Sequence, residues 1–504
     1  MKVYSTPLFN TPSVNRKTIF LFIALFISTS YKLDAQIWKK IDEGAKKAKK
    51  ALTSVKQTAK EITNTNKEID NTVKSFKKTW TKDTASNINY RQIPDYRSAE
   101  EVGLSEKQNL KFENGKFKNV SWKPVVNFDN QVFPSFVISW NSYKGTKNYD
   151  FGSSLGFSIN TNLRNTVFKW EIECGEKSYF NIDSGYINCD ELRGSFFMPK
   201  ISWNIKALSQ QQISTPVNII FRLIDPNSKN VEENIQKVSL RSINDCLTYY
   251  NGVSYSNMYV AYINEDHPEI EGILKNAMDT KMIDNIIGYQ DFNEEMSKAA
   301  YLEAVKKVDL QIAAIWRVLH DRRFQYSSIT NSSTNKTSGI IGAQTVRPFA
   351  MSIKTNQANC VDGSVMIASI LKRMNIRSYL ILIPGHCFLA YSLDNGHPNF
   401  KQWREELNPL GMSFLETTAM SDATFLNKDS ATKNFSKIIQ PSYPSSSLKK
   451  ASQKDKEYFL QFLKVKEWGL ENLFDRQGNL LNAKDITIIN VNAERANIPP
   501  LPIE

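Results

Sequence analysis

The chain has 504 residues, 41% of them apolar and 23% charged, with 28 Phe, 20 Tyr and 9 Trp. That length suggests about two to four domains, and the composition excludes collagen-like, mucin-like, wholly disordered and polytopic membrane classes. A formal net charge of +13 leaves nucleic acid, an anionic envelope surface or no specific partner open, while five Cys with no C-x-x-C pair and no Cys/His cluster at zinc spacing suggest neither a disulfide-dense scaffold nor a metal site. No cofactor is expected.

In chain order, residues 1–35 read as an export signal. Arg16 and Lys17 precede an apolar run from Ile19 to Ile27, too short for the about 20 residues of a spanning helix, and Ala35-Gln36 offers a cleavage point. An uncleaved signal anchor is the alternative. The mature chain is expected to be exported, either periplasmic or at the cell surface.

Residues 36–80 read as an amphipathic helix. Its seam of Ile41, Ala45, Ala48, Leu52, Val55, Ala59, Ile62, Asn66, Ile69, Val73 and Phe76 alternates steps of four and three, the seven-residue repeat of a coiled coil, with Asn66 as a register-fixing polar member. A single helix lying on its own protein or on an anionic surface fits the same pattern. Residues 37–80 hold twelve Lys against five acidic residues, so the basic balance belongs mainly to this arm and the export segment, and residues 81–504 are close to neutral. Self-association or an anionic envelope surface is therefore the expected partner of the arm. No nucleic-acid partner is expected, because no basic groove interleaved with aromatic residues accompanies the charge.

Residues 81–105, polar and containing Pro94, read as a linker. Residues 106–252 change to short β-branched and aromatic runs, among them 136–140, 167–172 and 217–224, which predict an all-β, sandwich-like module. Its Cys174 and Cys189 are either paired or buried as free thiols. Residues 253–504 read as α+β. Helices are predicted from Asp266-His267-Pro268 through Met278, over 294–319, over 360–374, and at the close through Phe459, Phe462, Leu463 and Trp468. Strands are predicted over 379–383, 387–393 and 414–416, with a Ser/Thr/Asn-rich loop over 327–338.

The chemistry concentrates after residue 358. In Asn359-Cys360-Val361-Asp362, Asn359 is a good N-cap, which puts Cys360 in the first turn of a helix. There the dipole and the open N–H groups favour a thiolate. Pro384-Gly385-His386 opens a strand after that helix, and Glu416 ends a further strand. A Cys, a His and a carboxylate in this order form the set that generates a thiolate, relays its proton and orients the imidazole. Asp362 reads as a cap rather than a catalyst, Cys387 as a core residue on the opposite strand face from His386, and His267 and His320 as helix-end residues. His397, in a turn, replaces His386 only if the strand assignment is wrong. Gln344 and Tyr326 are candidates for support of an oxyanion or of substrate.

The run Asn359-Cys360-Val361-Asp362, the aliphatic helix, Asn375-Ile376 and Pro384-Gly385-His386 resemble the core of the transglutaminase-like superfamily, a circularly rearranged relative of the papain-type cysteine proteases. The resemblance covers roughly residues 255–420. It implies a helix bearing the Cys packed on an antiparallel sheet, with Cys360 as nucleophile, His386 as base and acid, and Glu416 as the orienting carboxylate. Glu416 stands where the family more often has Asp, and Cys387 displaces the usual aromatic to Phe388. The expected function is that of an exported thiol enzyme acting on amide or peptide bonds of a peptide or protein substrate through a thioester, with hydrolysis ahead of transamidation. The alternative is a catalytically silent relative serving as a cell-envelope binding or assembly module.

Overall fold

The computed structural model describes residues 98–104, 108, 110–141, 154–192, 196–327, 341–407, 412–420, 450–473, 475 and 481–503. The export segment, the heptad seam, most of the linker and all but the first residue of the 327–338 loop lie outside these residues. The chain is mixed α+β and its described residues divide into two compact units, one built from 98–262 with 341–346 and 495–503, the other from 263–327 and 347–494.

The first unit contains, in chain order, β1 (Val120–Val126), β2 (Gln131–Val132), β3 (Leu155–Thr161), β4 (Val167–Cys174), β5 (Ile182–Asn188), β6 (Phe196–Phe197), β7 (Thr215–Ile224), β8 (Val231–Leu240), β9 (Asp245–Tyr250), β10 (Val253–Ser254) and β11 (Ile341–Thr345). One sheet runs β2-β8-β7-β4-β5, antiparallel except for the β2–β8 pair. Two three-stranded sheets run β1-β3-β6 and β10-β9-β11. Along β7, Val217, Ile219, Phe221 and Leu223 alternate with more exposed neighbours, the period-two pattern of a strand with one face buried. Their inward rows meet the second sheet through rings: Phe157 lies 5.5 Å from Phe221 and 6.3 Å from Trp170, and Trp170 lies 5.7 Å from Phe197.

One predicted strand is a helix. Residues 136–140 belong to α1 (Pro134–Asn141), buried from Pro134 through Ser139. A short apolar run buried on every side carries no period that separates strand from helix, and Pro134 at the first helical position is the local signal that decides it. Cys174 and Cys189 are both free and buried, and burial pushes their thiols up to about 11 and about 12.

The second unit holds α2 (Glu269–Asp279), α3 (Lys298–Asp321), α4 (Phe349–Thr355), α5 (Cys360–Arg373) and α6 (Gln453–Glu471). Its antiparallel sheet runs β14 (Met412–Leu415), β13 (His386–Ser392), β12 (Ser378–Ile383), β15 (Thr487–Asn490). Helix α3 starts four residues later than the pattern suggests, because Ser297 is the cap that accepts from Ala300 N–H. On one sheet face Tyr379, Ile381, Phe388, Ala390, Met412 and Phe414 form a core with Leu473, just beyond α6. Helix α6 is fastened to α3 by Lys466 Nζ on Asp309 Oδ2 (2.6 Å) and Arg317 Nε on Asp455 Oδ1 (3.0 Å). Helix α5 packs on β12 and β13, where Cys387, across the strand from His386, meets Ser364.

Candidate active site

Asn359 holds extended backbone angles (φ −97°, ψ −171°) and caps α5. Its side-chain oxygen accepts from Asp362 N–H at 2.8 Å, and Asp362 Oδ2 accepts in return from Asn359 N–H at 3.0 Å, a reciprocal capping box. Asp362 also accepts from Arg347 N–H (2.8 Å) and from its guanidinium (2.7 Å). The same guanidinium donates to Ser327 Oγ at 2.8 Å. Burial pushes the Asp362 carboxyl up despite these donors. Asp362 is thus a structural anchor, and the N–H groups of Cys360 and Val361 belong to the first turn of α5. Of the five thiols, Cys360 alone is not buried.

The helix start is tied to the end of β14. Ser364 Oγ donates to the Cys360 carbonyl at 2.7 Å, Thr417 Oγ1 donates to it at 3.3 Å, and the two hydroxyls lie 3.1 Å apart. Gly363 makes room for this contact: a Cβ there would stand 3.2 Å from Thr417 Cβ. The residue before Thr417 is Glu416, so this packing brings the carboxylate to the mouth of α5.

His386 opens β13 opposite Ile383, across a two-residue turn in which Gly385 takes φ 76°. A side chain at that φ is strained, which is why Gly occupies it. Imidazole Nε2 donates to Glu416 Oε2 at 2.7 Å, and the Cys360 side chain is the ring's other hydrogen-bonding neighbour. With Nε2 committed to the carboxylate, Nδ1 is the nitrogen left to the sulfur. Burial alone would lower the imidazole, but hydrogen bonds and charge from Cys360 and Glu416 outweigh it and push it up to about 10. Burial raises the Glu416 carboxyl, yet the His386 cation and Thr418 hold it below its ordinary value. The two directions agree on an imidazolium–carboxylate pair. Glu416 is 5% exposed; its Oε1 accepts from Thr418 N–H (2.9 Å) and Thr418 Oγ1 (2.5 Å), and its Oε2 accepts from Asn472 Nδ2 as well as from His386.

The remaining candidates fall elsewhere or at the margin. Tyr326, 51% exposed, sits in a two-residue strand paired in parallel with Gln357–Ala358, just before Cys360. Partial burial raises its hydroxyl, and Cys360, Glu416 and Asp362 add to the rise. Gln344 lies on β11 of the first unit, opposite Cys246, and its amide donates to Thr345 O at 3.3 Å. His267 accepts from Glu269 N–H, His397 pairs with Glu294 at 3.1 Å, and His320 is buried edge-on to Tyr458. Cys387 is buried, which drives its thiol far upward.

Sequence reasoning missed Thr418, Asn472 and Arg347. Thr418 is at least a chain neighbour, two residues past Glu416. Nothing local marks the other two. No family model, curated protein or solved structure matches the chain. What remains is the chemistry of the arrangement: a thiol at a helix start, an imidazolium beside it, and a buried carboxylate fixing that ring.

Proposed function

We propose that the chain is an exported thiol enzyme with a transglutaminase-like core, acting on amide or peptide bonds of a peptide or protein substrate. The observation that carries this reading is His386 held between the Cys360 side chain and Glu416 Oε2 at the start of α5. Sulfur attacks the carbonyl carbon, and backbone N–H groups at the helix start stabilise the oxyanion. As the C–N bond breaks, His386 passes its proton to the leaving amine, giving a thioester and a neutral imidazole. Water then attacks the thioester while His386 takes its proton, and the C–S bond breaks to release the acid. An amine in place of water yields the transamidated product. Hydrolysis needs only water access and is preferred on that ground. The first unit, read as a sandwich-like module, recruits or positions substrate or serves as a rigid spacer, and residues 36–80 hold the protein to a partner helix or an anionic envelope surface.

Iodoacetamide tests the reading. The other four thiols are buried, so exposure alone favours Cys360; the informative comparison is at Cys360, between the native protein and His386→Ala. Loss of the imidazolium is expected to slow alkylation near pH 7 by about tenfold or more. Equal rates would sink the enzyme reading. Incubation with a Gln-containing peptide, with and without a primary amine, then separates free acid from amide product.

A further inference from the structure

Glu416 is held by α6 as well as by its own turn. Its N–H donates to Val465 O at 3.3 Å, and its Oε2 accepts from the Asn472 amide one residue past the helix end. This approach is built into the helix. Gly469 lies one turn before Asn472, and a Cβ there would stand 2.7 Å from both Leu415 N and Phe414 C, so only glycine lets α6 come this close to β14. The ion pairs to Asp309 and from Arg317 then keep α6 in place.

We propose that Asn472 is a positioning residue of the site, acting through Glu416 to aim His386 at Cys360. The inference rests on the Cys360–His386–Glu416 reading above. A carboxylate has about four acceptor positions, two on each oxygen. Here all four are taken: Thr418 supplies two donors to Oε1, while His386 and Asn472 supply one each to Oε2. The carboxylate plane can no longer turn, and the ring that donates to it inherits that orientation. Each donor also favours the ionised form, which the imidazolium requires as its partner. Removing Asn472 leaves one buried acceptor unpaired on the oxygen that His386 uses, so that this oxygen is held by the imidazole alone.

The test uses the full chain with ¹³C-labelled histidine, the His386 signal being identified by its absence in His386→Ala. On the acid side that signal shows a step as its carboxylate partner takes a proton. In Asn472→Ala the step is expected to move up by about half a unit to one unit, because a carboxylate that loses a donor becomes more basic. Cys360 alkylation at pH 7 is expected to slow by about tenfold through misaimed His386. Asn472→Gln, which keeps the amide, should recover part of both. Asn472→Leu fills the space without a donor and replaces the Ala variant if that one fails to fold. A merely structural contact would lower the unfolding midpoint and leave the acid step where it was; an unmoved step with native alkylation overturns the proposal. The two readings fail separately. If His386→Ala leaves Cys360 alkylation unchanged, the enzyme reading falls, whereas the acid step still reports whether Asn472 governs Glu416.

Discussion

At the scale of single residues, the pair His386–Glu416 sets how the site responds to pH. The imidazole is raised from 6.5 to about 10 on folding, so its contribution to stability is complete below about 6.5 and disappears as pH climbs through about 10. The carboxyl is lowered from 4.5, so its contribution is complete above that value and disappears as pH falls through the lower, folded one. Stability should therefore have a plateau from about 4.5 to about 6.5 that slopes away on both sides. Glu416→Gln is expected to flatten both slopes in urea unfolding followed across pH. On the proposed mechanism it should also reduce amide turnover by about 10²–10⁴-fold. A Gln amide donating to Nε2 would force the neutral ring to carry its proton on Nδ1, facing the sulfur whose proton it must accept. The candidate site is partly legible in the sequence at this scale. Cys360 and Asp362 announce themselves because capping is a contact between residues three apart, while the Glu416–Asn472 bond joins residues 56 apart and leaves no local trace.

Among elements, the close approach of α6 to β14 is the most constrained contact. Gly469→Ala is expected to destabilise the protein by about 1–3 kcal/mol, as overpacking does, and to slow Cys360 alkylation with it. Denaturant midpoints and labelling rates measured on the same preparation check both. If stability falls while labelling is native, α6 is a prop and not part of the site. Legibility here follows length and exposure. Helices α2 and α6 and strand β7 show in the sequence because one face of each is buried and the other more exposed, and β4 because its buried residues alternate with half-buried charged ones. The run 136–140 predicts a strand because α1, buried from Pro134 through Ser139, shows no helical period there, and β15, four residues long, offers too little pattern.

For the whole molecule, the order of the chain and the order of space differ. The first unit takes back β11 after the chain has left it, and takes back the last residues too: Leu501 N–H donates to Ala261 O at 2.8 Å, with Ile498 and Leu501 buried. Domain boundaries drawn along the chain put everything after residue 253 in one domain, and no local residue pattern marks these returns. Removing residues 495–504 is expected to cost the first unit about 3–6 kcal/mol, from two buried aliphatic side chains. Hydrogen exchange should then quicken in β7 and β8 while β12 and β13 keep native protection; equal loss in both would mean that the units unfold together. The same ordering governs synthesis. On the ribosome, Cys360, His386 and Glu416 emerge before α6, and β15 follows only after that. Until residues 487–490 arrive, the edge of β12 is a bare template on which another nascent chain can pair. A message truncated or a chain cleaved before Thr487 would thus release a product with all three reactive groups and an open sheet edge, and its fate would be aggregation in place of folding.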